Sequence, residues 1–170
     1  MVVAERAESG LAAVARGATV IQLRAPELSA RRLFEEAVAL VRESPIPVLV
    51  GSRLDVAAAA GAGVNLPERD LPVAEARRLL GPDALIGRSV HSLEAALVAE
   101  REGADFVLFG PVWATASHPS GRPQGVAELA RVAAAVSIPV IAIGGADRSR
   151  LAQCLAAGAA GYAGIGAFRR

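Results

Sequence analysis

Polar side chains that could take part in chemistry occur in this chain mostly where short apolar runs end. Gln22 and Arg24 close the run TVIQLR. Ser89 and His91 lie at the end of LIGRSV, and a polar loop that contains His118 follows DFVLFG. Because the carboxyl ends of parallel strands meet on one face of a barrel, these side chains can form one site there.

Arg24 is the cation in this group with the clearest chemical use. A guanidinium that ends an apolar strand suits a carboxylate or a phosphate, because its donors match two oxygens at once. The alternative is a structural ion pair with Glu27 or Asp70. Asp70 precedes Leu71 and Pro72 and is more simply interpreted as the N-cap of the next helix.

Two glycine-rich turns near the end of the chain could bind an anion through the main chain. They are IAIGG, with Gly144 and Gly145, and AGIGAF, with Ile165 and Gly166. Glycine lets the backbone approach a phosphate closely, and free N–H groups then bind its oxygens. The alternative is that these glycines serve only tight packing between strand and helix.

The composition excludes several chemistries. All 18 basic residues are arginine, so lysine Schiff-base aldolases, pyridoxal phosphate enzymes and P-loop nucleotide sites are excluded. A net charge of +1 and an aromatic content of 4% argue against a nucleic-acid surface.

Cellular location can also be predicted from the composition. No apolar run reaches the ~18 residues of a membrane helix, and Glu5 and Arg6 interrupt the start too early for a signal peptide. The single cysteine, Cys154, cannot form an internal disulfide. We therefore expect a cytoplasmic protein without a membrane partner.

Short apolar runs alternate with segments of helical spacing along the whole chain. The candidate strands are 2–4, 19–24, 47–50, 63–66, 85–90, 105–110, 139–144 and 160–166. Helical spacing is clearest over 28–44, 71–81, 91–103 and 125–136. Eight such units predict an α/β fold, a (β/α)₈ TIM barrel that forms one domain over residues 1–170. An open, doubly wound sheet is the competing fold.

A Gly-Ala repeat supports the barrel. It precedes alternate strands at Gly17, Gly61, Gly103 and Gly158, where glycine is a good helix C-cap. The last interval is the longest, which assigns extra residues to the loop after strand 6.

The chain is short for this fold, which usually takes about 250 residues. Only AFRR remains after strand 8, so we expect the eighth outer helix to be missing or reduced to one turn. The apolar strip left uncovered predicts a homodimer or larger homo-oligomer.

Four segments of the chain resemble the thiamine-phosphate synthase/TenI family. They are GATVIQLR, NLPERDLPVAEARRLLG, LIGRSVHSLEAALVAEREGADFVLFGPVWATASHPSGRPQGV and SIPVIAIGG, in the family's order. The resemblance implies a (β/α)₈ barrel and a phosphorylated thiazole as ligand. It also implies one of two activities: a Mg²⁺-dependent synthase, which joins a pyrimidine pyrophosphate to thiazole phosphate, or a TenI-type tautomerase of carboxythiazole phosphate.

Departures from the synthase pattern favour the tautomerase. Pro26 replaces a lysine, Gly51 and Ser52 replace Asn-Asp, and the loop after strand 6 carries Ser117-His118 in place of Thr-Lys. Mg²⁺ prefers anionic oxygen ligands, and Asp70 alone would be a poor site, so we expect no metal or other cofactor. The synthase remains the first alternative, a non-catalytic thiazole-phosphate-binding or regulatory protein the second, and a phosphate-binding barrel with another substrate a weaker one.

For a tautomerase, histidine is the best proton carrier near pH 7. TenI-type members tend to carry a histidine after the Phe-Gly of strand 6, where this chain has Pro111. His118 is therefore the first candidate for catalysis and His91 the second. The alternatives are an exposed loop histidine and a residue that orients its turn. The expected substrate and phosphate ligands are Gln22, Arg24, Ser89, Thr115, Ser117, Gly144, Gly145, Ile165 and Gly166.

Overall fold

Strands and helices alternate through the computed structural model, which describes residues 1–115 and 122–165. The strands are β1 Val2–Ala4, β2 Ile21–Leu23, β3 Val48–Gly51, β4 Gly63–Leu66, β5 Ile86–Val90, β6 Phe106–Phe109, β7 Val140–Ile143 and β8 Gly161–Ala163. The helices are α1 Ala7–Val14, α2 Ala30–Glu43, α3 Leu54–Ala60, α4 Val73–Leu80, α5 Leu93–Arg101, α6 Gly125–Ala135 and α7 Leu151–Ala156. A 3₁₀ turn, Arg148–Arg150, leads into α7.

The strands form one parallel sheet in the order of the sequence, β1 to β8. A parallel bridge from Val2 to Gly164 brings the first and last strands together, and the Val3 N–H donates to the Gly164 carbonyl at 3.2 Å. The sheet is thus a nearly closed TIM barrel. The predicted fold is confirmed, and the doubly wound alternative is wrong.

The helices bury one face each because their apolar residues recur at helical spacing. In α2 the buried side chains are Leu33, Ala37 and Leu40, and Ser29 caps its first turn by accepting from the Arg32 N–H. The glycines of the Gly-Ala repeat have positive φ angles, from 68° at Gly61 to 88° at Gly103. They are therefore at helix ends, as the repeat predicts.

The amino-terminal half of the barrel is closed by packed side chains. Phe106, Leu49 and Leu108 belong to an inner cluster that is distinct from the core beneath the helices. Gly87 makes room for the Phe106 ring, because a Cβ at position 87 would lie 2.2 Å from the ring's Cζ. Ligand access is therefore expected from the carboxyl ends of the strands.

The predicted N-cap of α4 is wrong. The helix begins after Pro72 without a side-chain cap, and Asp70 Oδ1 instead accepts from the Leu71 N–H at 2.7 Å. Glu102, which follows α5, takes the capping place, since its Oε2 accepts from the Val73 N–H at 2.8 Å. A carboxylate from the next unit thus satisfies the orphan donor.

Two further expectations concern the eighth outer helix and the absence of a membrane-spanning helix. The missing eighth helix falls on residues 166–170, which lie outside the described residues. Among the helices that the structure describes, none has the length and apolar character needed to span a membrane.

Candidate functional site

A cavity of about 1120 Å³ opens at the carboxyl ends of the strands. Eight of the residues singled out from the sequence line it: Gln22, Arg24, Ser89, His91, Thr115, Gly144, Gly145 and Ile165. Single small-molecule sites measure about 300–1,000 Å³, so this space can hold two small substrates together. Ser117, His118 and Gly166 lie outside the described residues.

Two buried amides line this cavity. Gln22 on β2 is 4% exposed and Asn65 on β4 is 3% exposed. Asn65 Nδ2 donates to the Ser89 Oγ at 3.0 Å. Gln22 Oε1 and Asn65 Oδ1, however, accept no hydrogen bond from any described residue. Because an unsatisfied buried acceptor costs about 1–3 kcal/mol, a ligand with N–H or O–H donors would bind here favourably.

Gly51 explains how Gln22 fits beneath the cavity. A Cβ at position 51 would lie 2.9 Å from Gln22 Nε2, so the amide occupies the space where a side chain would begin. Ser52 follows with φ 65° and donates its N–H to the Asn65 carbonyl at 3.0 Å. Of the Gly-Ser pair that departs from the synthase pattern, Ser52 lines the cavity and Gly51 packs against the Gln22 amide.

Arginines supply the positive charge of the cavity. Arg24, Arg122 and Arg148 line it. Neither proposed ion-pair partner of Arg24 binds it: Glu27 contacts Arg6 at 3.4 Å, and Asp70 accepts from a main-chain N–H. The Arg24 side chain is exposed at the mouth, where it can meet an anion.

The glycine turn after β7 presents main-chain donors. The carbonyls of Ile143 and Gly144 accept from the N–H groups of Val112, at 2.9 Å, and Trp113, at 3.0 Å. The Gly145 carbonyl accepts from the Arg150 guanidinium. In contrast, the N–H groups of Gly145 and Ala146 donate to none of the residues in 1–115 and 122–165. Successive free N–H groups of this kind form an anion-binding concavity.

Contacts around His91 fit the orienting role that was the alternative to catalysis. Its main-chain N–H donates to Glu68 Oε2 at 2.6 Å. Its ring Nδ1 contacts the Gly110 carbonyl, which can only accept, so Nδ1 carries the proton. His91 thereby ties the loops after β4, β5 and β6 together.

The carboxylates near the cavity fit a magnesium site poorly. Glu68 accepts from His91, Asp70 from Leu71, and Asp147 from Ser149 and Arg150. Within the described part of the chain, no group of three or more His, Cys, Asp or Glu side chains could hold a metal ion. The position of the family's metal-binding aspartate is Ser52, which offers no anionic oxygen.

Four charged residues of the cavity were missed by the sequence analysis: Glu68, Arg122, Asp147 and Arg148. Each lies in a loop that follows a barrel strand, so its position after the carboxyl end was the available signal. The loops' own folds, which no periodicity specifies, decide which of these side chains turn inward.

The fold and much of the sequence are shared with a solved enzyme. The structure of thiamine phosphate pyrophosphorylase from Pyrococcus furiosus matches with a TM-score of 0.87 and 36% identity over 97% of this chain and 84% of that one. FabK from Thermotoga maritima also matches, with a TM-score of 0.78 over 98% of this chain and 58% of that one. At 20% identity, that second likeness shows the barrel fold alone.

Curated relatives are more similar still. Thiamine-phosphate synthase of Methanoculleus marisnigri is 48% identical over 160 residues, 91% of this chain and 76% of that protein. Thiamine-phosphate synthase of Chloroflexus aurantiacus is 43% identical over 161 residues, 92% of this chain and 74% of that protein. These similarities extend well beyond the cavity residues.

The expectation of a thiazole tautomerase, and so of an isomerase, is wrong. Relatives 43–48% identical, and the structure at 36%, carry the names of synthases or a pyrophosphorylase. That expectation gave more weight to five substituted residues, at 26, 51–52 and 117–118, than to the similarity along the whole chain. The proton-transfer roles assigned to His118 and His91 belonged to that expectation.

The family model described as thiamine monophosphate synthase matches residues 3–168, nearly the whole chain. The match includes every residue that lines the cavity and, apart from Val2 at the start of β1, every strand residue of the barrel. The enzyme class that follows is a transferase of thiamine biosynthesis rather than an isomerase. This chain belongs to the thiamine monophosphate synthase family.

Proposed function

We propose that this chain joins a pyrimidine pyrophosphate to thiazole phosphate to form thiamine phosphate. One observation carries the proposal: a single cavity combines exposed arginines, two buried amide oxygens without a hydrogen bond, and a glycine turn whose N–H groups donate to none of the described residues. The two anionic substrates and the polar pyrimidine ring each find a matching set of groups there.

The glycine turn would bind the phosphate of the thiazole. The N–H groups of Gly145 and Ala146 are the donors available to its oxygens. Gly144 and Gly145 have φ angles of 85° and 66°, which side chains rarely adopt. The absence of a Cβ there also lets the turn pack closely against Pro111 and Ala114.

The arginines would bind the pyrophosphate. In the reaction, the carbon–oxygen bond to the pyrophosphate breaks, and its electron pair leaves with the pyrophosphate. The thiazole nitrogen donates its lone pair to the same carbon, so the bond forms without removal of a proton. Arg24, Arg122 and Arg148 offset the charge that develops on the leaving group.

The buried amides would bind the pyrimidine. Gln22 Oε1 and Asn65 Oδ1 need hydrogen-bond donors, and an amino-substituted pyrimidine supplies them. Ser89, fixed by the Asn65 amide, lines the same wall. This arrangement would hold the ring inside while its pyrophosphate extends toward the arginines at the mouth.

The chain would work without a magnesium ion held by a carboxylate pair. Glu68, Asp70 and Asp147 are each engaged by main-chain donors, and Ser52 stands where the family's aspartate would be. Guanidinium groups are then the protein's own means of offsetting the pyrophosphate charge.

The direct test is turnover. The purified chain is incubated with the pyrimidine pyrophosphate and thiazole phosphate, and thiamine phosphate and released pyrophosphate are quantified by chromatography. We expect both products in equal amounts. Tight binding of thiazole phosphate with neither product at saturating substrates would overturn the proposal and indicate a binding protein.

A further inference from the structure

The loop after β6 and the turn after β7 are joined at their roots by two main-chain hydrogen bonds and by the stacking of Arg150 on Trp113. We propose that Arg150 is a positioning residue, which aims the main-chain donors of the Gly145 turn at the substrate phosphate. The proposal rests on the proposed function, because it concerns the same phosphate. It adds a residue that lies behind the cavity wall and outside the set that lines the cavity.

Arg150 can act on the phosphate through the geometry of the peptide bond, because the direction of a carbonyl sets the direction of the next N–H. In a planar trans peptide, the C=O of one residue and the N–H of the next point in opposite directions. The Trp113 N–H holds the Gly144 carbonyl, so the Gly145 N–H points the other way. The Arg150 guanidinium holds the Gly145 carbonyl, so the Ala146 N–H is turned away from Arg150.

Arg150 is itself held in place from two sides. Asp147 Oδ1 accepts from the Ser149 N–H at 2.8 Å and the Arg150 N–H at 3.2 Å, which fixes the start of the 3₁₀ turn. The guanidinium carbon lies 4.8 Å from the centre of the Trp113 ring. The neighbouring Arg148 lines the cavity instead, so the two arginines have different directions and different tasks.

The contact suits arginine and not lysine. A guanidinium is planar, so it can donate to the Gly145 carbonyl in its plane while its face stacks on the Trp113 ring. An ammonium group cannot make both contacts in one position. Close packing reinforces the arrangement, because a Cβ at position 145 would lie 2.8 Å from Trp113 Cβ and 3.2 Å from an Arg150 nitrogen.

The test compares ligands with and without the phosphate. The dissociation constants of thiazole phosphate and of the dephosphorylated thiazole alcohol are measured by calorimetry for the wild type, Arg150→Met and Arg150→Lys. We expect both variants to bind thiazole phosphate about tenfold more weakly, as for the loss of one aligned charged hydrogen bond. Binding of the alcohol should not change. Arg131→Met, an exposed arginine paired with Glu128 on α6, is the matched control.

The Trp113→Leu variant tests the stacked pair. If the ring holds the guanidinium, Trp113→Leu weakens thiazole phosphate binding too, and the double variant with Arg150→Met loses little more than either single one. In steady-state assays of Trp113→Leu and Arg150→Met, the Michaelis constant for thiazole phosphate should rise, while kcat at saturating substrate stays near the wild-type value.

Several results would overturn the positioning role. Full recovery in Arg150→Lys would show that only the positive charge matters. An equal loss for the phosphate and the alcohol would show a general structural role, and unchanged binding would show no role. The binding measurements need no turnover, so a wild type that binds thiazole phosphate but makes no product defeats the proposed function and leaves this proposal standing.

Discussion

Arg24 is exposed at the rim of the barrel, although its backbone is part of the sheet. Its N–H donates to the Ala4 carbonyl at 2.8 Å, which continues the β1–β2 ladder by one residue. The main chain therefore fixes where the side chain starts, and the guanidinium is left to bind an anion. Gln22, two residues earlier, points to the same interior because side chains alternate along a strand.

Replacing Arg24 by methionine should lower kcat/KM of the synthase reaction about 100-fold, the usual loss when one charge-stabilising donor is removed. The reason is the uncompensated charge of the leaving pyrophosphate. Initial rates of thiamine phosphate formation measure the effect. Arg53→Met, which removes an arginine paired with Asp55 on α3, is the control and should retain wild-type rates. An Arg24→Met variant as active as the control would remove Arg24 from the site.

In the Ser52→Asp variant, the initial rate of thiamine phosphate formation should depend more strongly on the Mg²⁺ concentration than in the wild type. The residue lines the cavity with φ 65°, a conformation that aspartate tolerates better than most residues. The new carboxylate would supply the anionic oxygen that the described cavity lacks at this position. The measurement is the initial rate over a range of Mg²⁺ concentrations.

Ser52→Asn is the matched control for that experiment, because it has the same shape without the charge. We expect the aspartate variant to respond to Mg²⁺ more strongly than the wild type or the asparagine variant. Identical titrations for the two variants would mean that position 52 has no access to a metal.

The positions of polar residues at the ends of apolar runs predicted part of this site. The strand ends identified Gln22, Arg24 and Ser89, because a strand's last residues must face the cavity or the helices in strict alternation. Glu68 and Arg148 escaped prediction since their loops have no such periodicity. No sequence pattern distinguishes a loop arginine that lines the cavity, as Arg148 does, from one that lies behind its wall, as Arg150 does.

Helices and strands hold together partly through carboxylates that reach from one unit to the main chain of another. Glu36 on α2 accepts from the Ala7 N–H at 2.6 Å, and Glu102 accepts from the Val73 N–H at the start of α4. Glu100 on α5 accepts from the N–H and hydroxyl of Ser137. These bonds connect successive units where the helices lack side-chain caps of their own, as at α1 and α4.

Glu100→Gln should destabilise the protein at neutral pH more than in acid. The Ser137 hydroxyl and N–H hold the pKa of Glu100 below its ordinary value. A lowered pKa in the folded state contributes stability above the unfolded pKa, about 4.3, and that contribution is lost as the pH falls through the folded value. Urea unfolding at pH 7 and pH 3 measures the difference.

Glu43→Gln is the control for Glu100, because its carboxylate contacts only the adjacent, exposed Arg42 among the described residues. It should change stability little at either pH. A Glu100→Gln variant with the same loss at both pH values would show that the charge of Glu100 contributes nothing.

Strand boundaries were predicted to within two residues except at the end of β8, since apolar runs and flanking glycines mark them. The helix α3, Leu54–Ala60, was not among the segments with clear helical spacing. Its sequence LDVAAAA is almost uniformly small and apolar, so it has no contrast between a buried and an exposed face. The short helices α1 and α7 were also not among those segments.

The molecule as a whole is packed at one end and open at the other. Phe106 fills the closed half over Gly87, while the open half carries the polar groups of the cavity. This division lets stability and ligand binding depend on different residues. The predicted homo-oligomer stays a prediction, as does the cytoplasmic location.

Gly87→Ala should destabilise the barrel by about 1–3 kcal/mol through overpacking against the Phe106 ring. Its Cβ would lie 2.2 Å from the ring's Cζ. Urea unfolding gives the change in free energy. The double variant Gly87→Ala with Phe106→Leu should recover part of the loss, because leucine vacates that space. No recovery would place the strain elsewhere.

The close approach of Gln22 to Gly51 couples the side chains that these two positions can carry. Any side chain at position 51 must displace an amide that is only 2.9 Å from the place of its Cβ. Because Nε2 is the far end of a flexible side chain, a larger residue at position 51 requires Gln22 to adopt another rotamer, and substitutions at these two positions should not be additive. A variant that carries Asn-Asp at positions 51 and 52 would therefore also redirect the Gln22 amide, and with it one of the two acceptors offered to the ligand.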